Sequence, residues 1–444
     1  MPQLPLGKKL SYASGGVAMN LTNLVISQWL FLLYASGGDQ ALVPPALFGL
    51  FFMLGRVTDA VTDPLIGYWS DNARYRLGRR IPFIRYGVLP FALVFFLLWT
   101  PPIDGPHWFN AVYVICLIQL YFILYTVVTT PYISLLPELT TDLKERINVS
   151  TLQAAFVMVG TVVFGVMGVI LERWGWAAIG AVVALVTLAS YTPTAFGIRE
   201  RYQRTESAAA PVGLWRWLLT TLRNRPFLFL VCATSLYWFG LNLMLMLAPF
   251  WVVELLGLKK DAVSMLMGPF LATNIVFFVI FNLLAKRFGK YILFLATLLG
   301  TAVALPLLLF VGQLPFGTPF SQSMVVFGVV GIPVAGFLML PFAILADVVD
   351  YDEARTGARR EAIFFGVQAI FQKSAIGFSV FAFGLLVNYG DTLASATELG
   401  LKAVSVVAGL ACLIGFVVFL GYPIRDRGGE IVSERSADGG SGAS

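Results

Sequence analysis

The chain has one histidine and three cysteines in 444 residues, and no two cysteines form a C-x-x-C pair. His107 lies in the loop sequence "PPIDGPHWFN", while Cys116, Cys232 and Cys412 stand in separate apolar runs. A histidine-based triad and a cysteine–histidine metal site are excluded as readings, and no enzyme is expected. The cysteines are expected to pack among apolar neighbours. Charge is scarce too: 12% of residues are Asp, Glu, Lys or Arg, against roughly 25% in soluble domains. The net charge of +6 would suit a polyanion, but the cations stand in short loops beside apolar runs. Topology accounts for them, and nucleic-acid binding is not expected.

What the chain has in abundance is apolar sequence, 58% of its residues. Runs of about 20 apolar residues, enough to cross roughly 30 Å of hydrocarbon, recur along it. Twelve are read, at approximately 11–35, 44–70, 82–100, 108–136, 149–171, 177–197, 226–254, 263–284, 291–312, 323–346, 363–388 and 397–422. Lys and Arg mark cytoplasmic loops. They cluster at Lys8 and Lys9, in "DNARYRLGRR" after the second run, and after the fourth, sixth, eighth, tenth and last runs. The alternate loops hold Arg173, Lys259 and Lys260. Both termini are thus expected in the cytoplasm of a multi-pass inner (cell) membrane protein. No cleavable signal is read; the first run is expected to serve as the targeting signal.

The charged, Ala/Pro-rich stretch containing "ESAAAPVG" divides the runs six and six. The reading is a six-helix bundle at 1–197, a linker at 198–225, a second bundle at 226–422 and a disordered tail at 423–444. Internal repetition supports it. "RYRLGRR" has a counterpart in "AKRFGK", with Gly78 matching Gly289, and "TPYISLLPEL" has one in "LPFAILADVV", with Pro131 matching Pro341. The predicted fold is all-α and integral to the membrane: twelve transmembrane helices in two pseudo-symmetric six-helix bundles, the plan of the major facilitator fold, with a solute site near the midplane.

The second run contains "RVTDAVTDPLIG", which places Arg56, Asp59 and Asp63 at i, i+3 and i+7, on one helical face. One salt bridge needs one carboxylate. The second leaves net negative charge that a hard monovalent cation can neutralise, or a proton can replace that cation on one carboxylate of the pair. The structural alternative is a network that only locks helices, but ionisable residues at membrane depth are functional candidates by default. Phe270 and Asn274 occupy the equivalent positions of the other half, so the pair belongs to the N-terminal half alone. Lys373 in the eleventh run is the other isolated charge, beside Gln368 and Gln372. It either pairs with the aspartates or competes with the cation for them, coupling occupancy to conformation.

Further polar residues within the runs are Asn20, Asn23, Ser27, Gln119, Thr126, Thr129, Thr130, Gln153, Tyr237, Trp238 and Asn242. Singly each reads as helix-packing glue; together they read as a wet cavity with aromatic walls. Asn20, Asn23, Thr129, Gln153, Trp238, Gln372 and Lys373 are the expected substrate contacts, with Arg56 and Lys373 coupling charge. Asp71, Arg79, Arg80, Asp347 and Asp350 sit at helix ends and are the expected cytoplasmic gate.

"GRVTDAVTDPLIGYWSDNARYRLGRRIPFI" with "ADVVDYDEARTGARREAIFFGVQAIFQK" resembles the glycoside–pentoside–hexuronide:cation symporter family, the melibiose-permease-like branch of the major facilitator superfamily, from Leu10 to about Tyr422. The resemblance implies symport driven by Na+ or H+ without a cofactor, a cation on Asp59 and Asp63 with Thr126, and Lys373 as the helix-eleven lysine. No other metal site is implied. It also exposes departures. Where melibiose-type members hold the sugar with two aspartates, a tryptophan and an arginine, this chain has Asn20, Thr129, Ile133 and either Gln153 or Ala154. The expected activity is symport of a sugar, glycoside or uronide by alternating access, the protein acting as a monomer in the bilayer. The competing reading is a cation-coupled carrier of a lysophospholipid or other anionic amphiphile, and a transport-dead sensor is a third.

Overall fold

The computed structural model describes residues 4–36, 40–73, 75–139, 143–198, 200, 221–356, 361–387, 398–427 and 430–433. Eleven helices among them are long and apolar enough to cross a membrane: α1 (Leu6–Ala35), α2 (Pro45–Ser70), α4 (Trp108–Ser134), α5 (Asn148–Gly165), α6 (Met167–Gly197), α7 (Arg225–Leu255), α8 (Ala262–Ala285), α9 (Lys290–Phe310), α10 (Pro319–Thr356), α11 (Ile363–Leu386) and α12 (Glu398–Leu420). α3 (Ile81–Leu97) is apolar and shorter. These twelve are the twelve runs read in the sequence. The boundary expected between the fifth and sixth runs coincides with Gly175, whose φ of 78° breaks the helical path inside α6.

α2 and α4 settle that α3 crosses the membrane. Thr126 meets Asp59 and Thr130 meets Asp63, so both partners advance together and the two helices run in the same direction. Two adjacent parallel helices need a return crossing between them, and α3 supplies it. Gly55 permits the close approach: a Cβ there would stand 2.5 Å from the Phe122 ring of α4.

Contacts divide the chain into two units. The first comprises Met1–Glu206 with Pro249–Ser264 and Val380–Thr397; the second comprises Ser207–Ala248, Met265–Ser379 and Glu398–Ser444. In the first unit α1 packs on α5 and α6, α2 on α4, and α3 on α4 and α6. An aromatic cluster of Phe31, Phe48, Phe250 and Phe383 fills one part of it, with ring centroids 5.1 to 5.7 Å apart around Phe31. In the second unit α9 packs on α10 and α12, the same pairings that α3 makes with α4 and α6.

The repeat extends to backbone detail. Gly78 before α3 and Gly289 before α9 both hold positive φ, 110° and 83°, a conformation that glycine adopts without steric penalty. Pro131 and Pro341 both lie inside their helices, α4 and α10. The guanidinium of Arg80 donates to the Ser134 carbonyl, and Lys290 donates to the Ala343 carbonyl at 3.5 Å. In each half a cation at the start of one helix thus holds a backbone carbonyl of the next.

Large apolar side chains such as Leu89, Leu93, Val279 and Val417 are exposed along the spans, as lipid-facing surfaces require. Cys412 is buried, whereas Cys116 lies on an exposed face rather than in a core. In the tail, where composition predicts disorder, β1 (Ile424–Arg427) pairs antiparallel with β2 (Glu430–Ser433). Arg427 pairs with Glu430, and the intervening sequence Gly428-Gly429 is a two-residue hairpin signal.

Candidate functional site

Arg56 and Asp59 are both buried inside the first unit, 2% and 0% exposed, with Arg56 Nη1 3.9 Å from Asp59 Oδ2. That distance is the outer limit of an ion pair, and the guanidinium is held mainly by others. Its Nη2 donates to Asn23 Oδ1 at 2.8 Å and to Ser27 Oγ at 2.9 Å on α1. Its Cζ lies 5.3 and 4.9 Å from the ring centroids of Phe52 and Phe122, which meet edge to face beside it. Stacking and a directed fork together suit arginine and would not suit lysine.

Because Arg56 is shared with α1, the two carboxylates look to α4 for hydroxyls. Thr126 Oγ1 donates to Asp59 Oδ1 at 2.8 Å, and Thr130 Oγ1 donates to Asp63 Oδ1 at 3.0 Å. Thr62 Oγ1 lies 3.3 Å from Thr126 Oγ1 and donates to the Thr58 carbonyl at 2.8 Å. Pro64 follows Asp63 within the helix. It has no N–H, so the Ala60 carbonyl loses its ordinary helical donor. Carboxylate, hydroxyl and carbonyl oxygens within two turns form the donor set that a hard cation prefers. Thr130 and Thr62 extend the expected set of Asp59, Asp63 and Thr126. The signal for Thr130 was available, since Thr126 and Thr130 repeat the i, i+4 spacing of Asp59 and Asp63.

Among the expected substrate contacts of this unit, Asn23 joins the Arg56 network. Asn20 does not: its amide donates to the Val157 carbonyl at 3.0 Å and to Thr161 Oγ1 at 2.7 Å, tying α1 to α5. The Thr129 hydroxyl donates back to the Tyr125 carbonyl of its own helix at 2.7 Å. Gln153 Nε2 donates to the Tyr132 hydroxyl at 3.2 Å, and Tyr132 stacks on Tyr12 with centroids 4.9 Å apart.

In the second unit Trp238 packs edge-on to Phe337, with centroids 5.3 Å apart. Tyr237 stacks on the same ring at 3.7 Å and bonds the Thr301 hydroxyl at 2.7 Å. Gln372 and Lys373 are half-buried on α11. Gln368, one turn earlier, is 4% exposed, and its Oε1 has no hydrogen-bond partner among the described residues. Asn242 donates to Ser379 Oγ at 2.7 Å.

Of the expected gate residues, Asp347 pairs with Lys290 at 2.5 Å, while Asp350 is exposed. Arg80, at the start of α3, is buried with its guanidinium on the end of α4, and the side chain of Asp71 lies outside the described residues. Glu200 was not read from the sequence at all. Its carboxylate accepts backbone N–H groups of Arg79, Arg80 and Ile81 at 2.6, 2.7 and 2.5 Å. It therefore caps the N-terminus of α3 from beyond the end of α6, where a helix leaves its first N–H groups without intrahelical partners. A Cβ on Gly78 would stand 2.5 Å from the Glu200 carboxyl carbon, so the glycine makes room for the cap.

Residues 11–424 match the family model described as MFS/sugar transport protein. The isoprimeverose transporter of Lactiplantibacillus pentosus is 24% identical, the alignment covering 89% of this chain and 82% of that protein. The sodium-dependent lysophosphatidylcholine symporter 1-A of Danio rerio is 25% identical, covering 95% of this chain and 86% of that one. A crystal structure of the nucleoside transporter NupG superimposes with a TM-score of 0.68 at 12% identity, covering 94% of this chain and 99% of that one. That likeness is one of fold.

Proposed function

Because the chain belongs to the MFS/sugar transport protein family, and is a membrane transporter rather than an enzyme, we propose that it is a cation-coupled symporter of a sugar, glycoside or uronide. One observation carries the proposal: Asp59 and Asp63 each receive a hydroxyl from α4 at the same register, with Arg56 bonded away toward α1. Two carboxylates with aligned hydroxyls at membrane depth supply the oxygen ligands that a Na+ would bind, or the site that an H+ would occupy. Asp59, Asp63 and Thr126 are assigned to the cation, with Thr130 added.

Binding of the cation neutralises the face that α2 presents to α4, which lowers the cost of closing the carrier around its solute. An empty carrier keeps the charge and resists closure. In this reading solute and cation cross together by alternating access. Asn20, Asn23, Thr129, Gln153, Trp238, Gln372 and Lys373 are proposed to contact solute, Arg56 and Lys373 to couple charge, and the cytoplasmic helix ends with Asp71, Arg79, Arg80, Asp347 and Asp350 to gate. The carrier is placed in the cell membrane as a monomer with both termini in the cytoplasm, in accord with its basic loops.

A lysophospholipid or other anionic amphiphile is the second reading, favoured by the likeness to the lysophosphatidylcholine symporter over nearly the whole chain. Uptake into proteoliposomes separates the two. With an inward Na+ gradient, and then an inward H+ gradient, radiolabelled pentosides, uronides and lysolipids are offered in turn. Accumulation of a sugar class that collapses with the gradient and in Asp59→Asn supports the proposal. Accumulation of lysolipid alone transfers the function to the second reading, and gradient-independent equilibration of every solute rejects symport.

A further inference from the structure

A cavity among the described residues lies within the first unit, apart from the Arg56, Asp59 and Asp63 network, and shares no residue with it. It has a volume of about 770 Å³ and opens between the end of α2, the turn before α3, the first half of α3 and the middle of α4. Its walls are apolar and aromatic: Trp69 and Phe83 meet edge to face with centroids 5.0 Å apart, and Leu124 and Val127 form the α4 side. Trp69 and Tyr86 are 55% and 69% exposed, on the outer faces of spanning helices, where lipid rather than water is the neighbour.

One side chain charged at neutral pH is among those lining this cavity, that of Arg76. The turn that carries it is fixed: Gly78 N–H donates to the Tyr75 carbonyl at 3.2 Å, leaving Arg76 and Leu77 at the tip. No carboxylate among the described residues pairs with Arg76. A trough of hydrocarbon-compatible volume thus ends at the Arg76 guanidinium, at the level where α3 begins. Trp and Tyr at that level are the usual residues of a membrane interface, and arginine is the side chain that matches a phosphate geometrically.

We propose that this cavity is a binding site for an anionic glycerophospholipid of the surrounding leaflet, its phosphate on Arg76 and an acyl chain between α3 and α4. The lipid is a resident of the carrier's flank and not its cargo. By holding the turn before α3 against the end of α2, it supports the same helix start that Glu200 caps. A fixed cation near a membrane surface favours an anionic lipid over a zwitterionic one by about fivefold.

Native mass spectrometry of the purified full-length protein in detergent tests this, with equal phosphatidylglycerol and phosphatidylcholine offered together. The wild type is expected to retain phosphatidylglycerol about fivefold over phosphatidylcholine. Arg76→Gln is expected to abolish the preference, and Leu124→Trp, which fills the trough, to reduce retention of both lipids. Arg85→Gln is the control, since Arg85 stacks on Phe196 and does not line the cavity. An unchanged preference in Arg76→Gln overturns the proposal, as does an equal loss in Arg85→Gln, which would mark diffuse basic attraction. Displacement by millimolar inorganic phosphate would also overturn it, because the site would then read phosphate without lipid. If Leu124→Trp fails to fold, the two arginine variants decide the matter.

Discussion

Thr126 donates its hydroxyl to Asp59 at 2.8 Å across 67 residues of sequence. Thr130 and Asp63, one helical turn further along, repeat the contact at 3.0 Å and the same separation. Two parallel helices in register thus deliver two carboxylate–hydroxyl pairs to one seam, and four predictions follow from that seam and from the cap that frames it.

Neutralising either carboxylate should remove the response to the coupling cation. Sodium is expected to raise the thermal midpoint of the wild type relative to choline, by mass action on the native state. In Asp59→Asn and Asp63→Asn the midpoint should be the same in both buffers. A sodium response that persists in both variants would remove the pair from the cation site, and a wild type without one would direct the same comparison to pH.

The two hydroxyls should tune affinity without being indispensable. Thr126→Ala deletes one neutral oxygen ligand, a loss of about 1 kcal/mol or roughly fivefold in apparent sodium affinity. Thr126→Ser should restore most of it. Thr130→Ala is expected to behave likewise, and titrating the midpoint against sodium concentration measures each constant.

Arg56 should be required as arginine. Arg56→Ala removes the donor to Asn23 and Ser27 and the ion pair to Asp59, which costs on the order of 3 kcal/mol of stability. Arg56→Lys should recover little, because an ammonium lacks the planar fork that bonds Asn23 and Ser27 while resting against Phe52 and Phe122. Thermal midpoints in choline, where no coupling sodium is bound, isolate this effect.

The Glu200 cap should be coupled to Gly78. Glu200→Ala exposes three N–H groups at the start of α3, at a cost of roughly 2 kcal/mol. Gly78→Ala brings backbone strain of about 1–2 kcal/mol and displaces the same carboxylate. The double variant should therefore lose less than the two single losses combined. Additive losses in a double-mutant cycle would show that the two do not share one space.

Much of this was open to a reader of the sequence, for local reasons. Twelve apolar runs, the i, i+3, i+7 set of Arg56, Asp59 and Asp63, and the Gly78–Gly289 and Pro131–Pro341 repeats depend on spacing along a single helix or on self-similarity. Asn20 shows where such reasoning stops. Its place in the first run marks it as a polar residue at depth, and the helix it is bonded to, α5, cannot be inferred from α1.

The sequence by itself determined that the chain crosses a membrane twelve times and sets two carboxylates on one helical face, because hydrocarbon thickness and helical period act on neighbouring residues. Only the tertiary structure decided which oxygens those carboxylates meet, that Arg56 bonds α1 more closely than Asp59, and that Glu200 closes α3. Each is a contact between side chains or N–H groups on different segments. Its formation depends on how helices approach, at places such as Gly55 and Gly78 where a missing Cβ lets them come close.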